Sequence, residues 1–320
     1  MQRRALVCGA GGFIGYHLVT RLKQEGYWVR GVDVREPLFG ITQADEFFIS
    51  DLREQARCRD VIDHRFDEVY QLAANFGGEQ FVLAGKYDAA ILHDSMLINL
   101  NVLEVCRQTG SSHVFFPSFV ANFVAEDDAG GTCRLPVFDS ETSWEKRFAE
   151  RLYQSYHRVY GMHTCVARLP YVFGEHSPWQ GERAGLVATL CRLIAEAPAG
   201  GEIHLQLERD RPLALLYIAE CIDGIRALMA SDQRTPVDFY SGSNLCLEQL
   251  MDVLLSEAGK PLTVIYAREG GGGHLEQTIA CQKAPLSESF RQSLARTYRW
   301  VAAQVTGEMP AEVPAQRIAV

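Results

Sequence analysis

The sequence predicts an α/β chain, a doubly wound parallel sheet with a smaller C-terminal α/β domain. Three observations carry the prediction. Strand-like and helix-like segments alternate through the first half of the chain. A glycine-rich turn joins the first strand to the first helix, and Asp33 closes the second strand. With 320 residues and 47% apolar composition, the chain is long enough to bury a large core.

The elements follow in order. Residues 5–8 are a short apolar strand, and 16–24 carry apolar side chains at helical spacing. Residues 28–32 form the second strand, and 46–50 and 68–73 the next two. A long helix spans 91–107, a buried strand 113–118, a helix 141–160 and a strand 163–169. This alternation implies parallel strands with helices on both faces. Past Gly174 the pattern loosens. GEHSPWQGER, residues 174–183, reads as a functional loop or a domain crossing. Residues 184–197 form a helix, 213–216 and 237–240 are strands returning to the sheet, and 247–258 and 287–305 are helices. Residues 270–273 are a flexible glycine loop, and there is no internal repeat. The expected domains are 1–173 with 213–243 returning to it, then 174–212 with 244–308, then a mobile tail over 309–320 containing Pro310 and Pro314.

Composition excludes several classes. A net charge of −9 without a long basic run argues against a nucleic-acid partner. The nine cysteines are odd in number and none forms a C-x-x-C pair, so buried thiols in a reducing cytoplasm are expected, and no metal site. The N-terminal run leads straight into the glycine turn and reads as a first strand, not a signal peptide. No stretch of about 18 consecutive apolar residues suggests a membrane span.

In VCGAGGFIG, residues 7–15, Gly9, Gly12 and Gly15 give a G-x-x-G-x-x-G spacing between strand and helix. That spacing provides a tight turn, close backbone approach to a pyrophosphate and close helix–strand packing, with free N–H groups facing the phosphates. Asp33 supplies a carboxylate for the ribose hydroxyls of the adenosine half. This reads as a Rossmann-type site for NAD, preferred over NADP because the carboxylate repels a 2′-phosphate. Asp51 is placed for an adenine contact or, equally, as a helix N-cap.

Four stretches, GAGGFIG, the D-L-R of Asp51 to Arg53, QLAA at Gln71 to Ala74 and the lysine helix DSETSWEKRFAERLYQSY (139–156), together resemble the extended short-chain dehydrogenase/reductase family. Within it, LAANFGGEQF (72–81), WQGERAGLVATLCR (179–192), YIAECIDGIRAL (217–228) and the pair Pro236 and Val237 are similar to the GDP-mannose 3,5-epimerase branch. The resemblance implies NAD contacts from Phe13, Ile14, Leu52, Leu72, Ala73, Ala74 and Lys146. It also implies a C-terminal domain for a nucleotide sugar, contacted by Gly77, Gly78, Glu79, Gln180 and Arg183, and a homodimer formed through the two long helices.

In that family a tyrosine moves the substrate proton while a lysine four residues on lowers its pKa and holds the ribose. Here Lys146 matches the lysine, its alternative being an exposed helix lysine paired with Glu150 four residues on, but Thr142 stands where the tyrosine belongs. A threonine hydroxyl is too weak an acid for that exchange, and positioned proton transfer is worth roughly 10²- to 10⁴-fold. The serine after the fifth strand matches Phe119, with Ser118 beside it; the acid/base cysteine matches Ala121 and the acid/base lysine Gln180. Tyr171 replaces an asparagine and Leu213 a phosphate-gripping arginine. Glu79, Tyr171 and His176 are candidates to supply replacement chemistry, if burial tunes a carboxylate or imidazole. Three readings stay open: an NAD-dependent sugar-nucleotide enzyme with a rebuilt site, an enzyme repurposed for another small molecule, and a non-catalytic NAD-binding protein.

Overall fold

A computed structural model describes residues 2–78, 81–82, 84–119, 124–126, 132–134, 140–239, 244–267 and 286–308. In chain order the elements are β1 (Arg4–Cys8), α1 (Phe13–Gln24), β2 (Trp28–Asp33), β3 (Glu46–Ile49), α2 (Gln55–Val61), β4 (Glu68–Gln71), α3 (Asp88–Thr109), β5 (His113–Phe119), β6 (Val124–Glu126), β7 (Thr132–Arg134), α4 (Glu141–Tyr160) and β8 (His163–Leu169). They continue with β9 (Tyr171–Phe173), α5 (Leu186–Glu196), β10 (Glu202–Leu205), β11 (Pro212–Tyr217), α6 (Ile218–Met229), β12 (Val237–Asp238), β13 (Asn244–Cys246), α7 (Leu247–Ala258), β14 (Thr263–Tyr266) and α8 (Glu288–Thr306).

Seven strands form one parallel sheet in the order β12-β8-β5-β4-β1-β2-β3. The strand order reverses beside β1, so a crevice opens there at the carboxyl ends. In β1, Ala5 and Val7 enter one core while Leu6 and Cys8 enter the other, and all are fully buried. A strand covered on both faces reads as a continuous apolar run, which is why the sequence shows no alternation there. On α1, Gly15, Leu18, Val19 and Leu22 form the buried stripe. Ser140 caps α4, its side chain accepting from the Ser143 N–H, and Gly161 ends the helix in the left-handed conformation. Helix α3 has the length and mean hydropathy of a membrane-spanning helix, yet packs against α2 and α4.

One strand expectation is corrected. Residues 237–238 do join the central sheet, beside β8. Strand β11 does not: it pairs in parallel with β9 and antiparallel with β13 in a separate three-stranded sheet. The divergence begins at Pro170, which has no N–H to continue the β8 ladder and separates it from β9. Strand β11 then follows the displaced β9. Helices α5, α7 and α8 pack on one another in the C-terminal half, with β10 and β14 as a parallel pair.

Candidate active site

A cavity of about 640 Å³ lies at the switch point, a volume typical of small-molecule and cofactor sites. At one end stands the glycine turn. Gly9 has φ +82°, and its N–H and that of Ala10 both donate to the Val32 carbonyl, at 2.7 and 3.1 Å. A Cβ on Gly9 would lie 2.7 Å from the Ala73 nitrogen, and one on Gly15 only 2.1 Å from the Gly9 carbonyl oxygen. The glycines thus let β1, α1 and the loop after β4 meet.

Asp33 faces this turn. Its Oδ2 accepts from the Gly11 N–H at 3.0 Å and its Oδ1 from the Arg35 N–H at 3.3 Å. Burial pushes its pKa up, against the pull of those N–H donors. Asp51 also lines the cavity, but its carboxylate is gripped by Arg53 at 2.6 Å, which holds it below the usual range. It is not the N-cap of α2, a position held by Glu54. Gly12, Phe13, Ile14, Leu52, Leu72, Ala73 and Ala74 line the same end.

At the other end Lys146 and Ser118 line the wall. Lys146 is 8% exposed and pairs with Glu145, itself 1% exposed, at 3.1 Å. Its ammonium sits 5.0 Å from the Phe116 ring centre. Glu145 accepts from Asn99 at 3.2 Å, and the Tyr153 hydroxyl donates to Asn99 Oδ1 at 3.2 Å. The alternative of an exposed lysine paired with Glu150 is excluded: Glu150 takes a two-pronged bond from Arg168, at 2.9 and 2.8 Å. Thr142 is buried and does not line the cavity; its hydroxyl and that of Ser118 have no hydrogen-bond partner among the described residues.

Tyr171 lines the cavity beside Phe119, ring centres 5.7 Å apart, and Phe119 in turn lies 6.1 Å from Phe76. Arg183 lines it too, donating to the Phe76 carbonyl at 2.6 Å and to Asn75 at 2.8 Å while stacking over Phe81. Gly77 and Gly78 allow this contact between loops: a Cβ on Gly78 would lie 1.9 Å from the Ala184 carbonyl oxygen. Gln180 is exposed and away from the cavity. His176 does not line it either; at φ +65° it sits against Tyr16, His17 and Trp300. Burial there lowers its pKa to about 4, so it is a neutral packing imidazole at neutral pH. Glu79 and Ala121 lie outside the described residues.

Residues 5–240 match the family model described as the NAD dependent epimerase/dehydratase family. The chain belongs to that family. GDP-mannose 3,5-epimerase 1 of Oryza sativa subsp. indica is 27% identical, over 95% of this chain and 83% of the relative. GDP-mannose 3,5-epimerase of Arabidopsis thaliana is 27% identical, over 94% of this chain and 83% of the relative. Among solved structures, the UDP-glucose 4-epimerase of Thermotoga maritima superposes with a TM-score of 0.75 at 19% identity, over 94% of this chain and 99% of that one. An epimerase of Methanothermobacter thermautotrophicus gives 0.77 at 19% identity, over 96% and 94%.

NAD is the cofactor of this enzyme family, and the cavity fits it. The glycine cradle admits a pyrophosphate at the N-terminus of α1, Asp33 can accept from ribose hydroxyls, and Lys146 stands at the far end. Asp33→Ala is therefore expected to weaken NAD binding by about 10-fold or more, the loss of a charge-assisted hydrogen bond. Calorimetry checks this, and an unchanged dissociation constant would contradict the assignment.

Proposed function

We propose that this chain is a nucleotide-sugar epimerase or dehydratase that binds NAD in the usual place but handles the substrate proton without a phenol at the usual position. One observation carries the proposal: Lys146 lines the cavity, while Thr142, four residues before it, is buried off the lining. NAD supplies hydride exchange when bound. The chain's own residues orient it: Asp33 takes one ribose and Lys146 donates to the other, while Ser118 lines the wall with a buried, unpartnered hydroxyl. Phe76, Phe119 and Tyr171 give the substrate end an apolar wall. The relatives that act on GDP-mannose support a nucleotide sugar as substrate.

The test is optical. Purified protein carrying NAD is mixed with GDP- and UDP-sugars, and absorbance of the reduced nicotinamide and product composition are followed. Transient reduction with a changed sugar supports the proposal; retained NAD with neither reduction nor product for any sugar overturns it. Thr142→Tyr is expected not to create GDP-mannose 3,5-epimerase activity, because Ala121 and Gln180 still lack acid/base groups. Robust turnover by that single variant would refute this.

A second reading, another small molecule on the same scaffold, draws support from Leu213. It stands at the expected phosphate-gripping position but is 2% exposed and packed in the core. Binding of sugars lacking a nucleotide would favour it. We also infer a homodimer through α3 and α4, supported by Leu100, Trp144 and Phe148, which those helices leave exposed. A cytoplasmic location is supported by seven free, buried cysteines among the described residues.

A further inference from the structure

At the amino-terminal end of the central sheet, opposite the cavity, His113 opens β5 and His163 opens β8. The two are register partners on adjacent parallel strands, so their side chains share a face, and Cys165, two residues on, shares it too. The imidazole rings stack 4.1 Å apart at 7°. Cys165 Sγ lies 3.4 Å from His163 Nε2 and 3.8 Å from His113 Nε2, and one donor atom from each residue falls within 4.8 Å of the others.

We propose that His113, His163 and Cys165 form a binding site for a zinc-class divalent cation, through Nε2, Nε2 and Sγ, with solvent completing the set. The N–S spacing is close to what the ion requires; because the stacked rings hold their Nε2 lone pairs in parallel planes, one imidazole must turn about its Cβ–Cγ bond to bind. A tetrahedral zinc with bonds of about 2.0–2.1 Å to nitrogen and 2.3 Å to sulfur separates nitrogen from sulfur by about 3.6 Å. The observed 3.4 and 3.8 Å bracket that spacing. Two imidazoles and a thiolate are also the donor set such an ion prefers. Cys165 would bind as the thiolate and release its proton to solvent.

One residue opposes the ion. Arg234 donates to His163 Nε2, the lone pair the metal would take. Arg234 is 37% exposed and also pairs with Asp232, fully exposed, at 3.3 Å. It can therefore move outward with Asp232 into solvent, and it acts as a competitor that weakens the site. Bound metal would clip β5 to β8 at their amino-terminal ends.

The test uses the full chain, stripped with a chelator and titrated with Co²⁺ and, separately, Zn²⁺. A saturable thiolate-to-cobalt charge-transfer band is expected, lost in Cys165→Ala and His163→Gln and kept in Cys191→Ala, a buried cysteine elsewhere. Arg234→Ala should strengthen it. Zn²⁺ should raise the melting temperature of the wild type and leave that of Cys165→Ala unchanged. His163→Gln, at a partly exposed position, keeps the result readable where Cys165→Ala folds poorly, and bound NAD reports the fold in each variant. A band that survives either ligand substitution, or no band in both the wild type and Arg234→Ala, overturns the proposal. The contact is then a thiol–imidazole hydrogen bond.

Discussion

Lys146→Met is expected to unfold more easily than the wild type and to lose most of its NAD. Lys146 and Glu145 are both nine-tenths or more buried and pair at 3.1 Å. Removing one partner of a buried ion pair costs about 3–5 kcal/mol, because the other charge stays desolvated. Asn99 donates to Glu145 but cannot neutralise it. Methionine keeps the length of the side chain and its contact with Phe116, so the loss reports charge more than volume. The double variant Glu145→Gln with Lys146→Met removes the stranded carboxylate and should recover most of the stability without recovering NAD. Urea unfolding and bound-nucleotide content separate the two effects. A single variant as stable as the wild type would show that the pair contributes little, and full NAD content would remove Lys146 from the site.

Gly15→Ala should damage fold and cofactor binding together. Its Cβ would lie 2.1 Å from the Gly9 carbonyl oxygen and 2.9 Å from the Ala10 Cα, atoms of the backbone turn itself. No side chain can rotate away, so α1 must shift off the turn. Overpacking of this kind costs about 1–3 kcal/mol, and the shift also moves the helix N-terminus from the phosphates. Gly26 gives the contrast: φ is +82°, but a Cβ there meets nothing within 4 Å. Gly26→Ala should cost about 1–2 kcal/mol, the left-handed backbone penalty alone, and leave NAD binding unchanged. Equal NAD affinity in Gly15→Ala and the wild type would count against a phosphate site at this turn.

Much of the fold was legible because burial on both sheet faces writes apolar runs, and helices write a 3.6-residue stripe. Helix α4 is legible from end to end, and Ser140 and Gly161 cap it. Strand β11 was misplaced because an apolar run does not name its partner; Pro170 and β9 decide that. The short helix α2 went unread, its seven residues carrying too little periodicity. In the site, the glycines, Asp33 and Lys146 stood out through spacing. Glu145 did not, because neighbours on a helix normally point apart and a lysine's expected partner lies three or four residues away, at Glu150. His176 looked like a loop base in sequence, and only the rings of Tyr16, His17 and Trp300 show that it packs.

The amino-acid sequence alone determined the parallel α/β core, the glycine turn with its acid, and the absence of a phenol at position 142, since each rests on local spacing along the chain. Tertiary structure alone decided that Lys146 is buried against Glu145, that Thr142 lies off the cavity, that Arg183 braces the Asn75 loop, and that His113 meets His163 and Cys165. The last two are meetings between strands and loops distant in sequence. Their distances are set by packing, which no local pattern encodes.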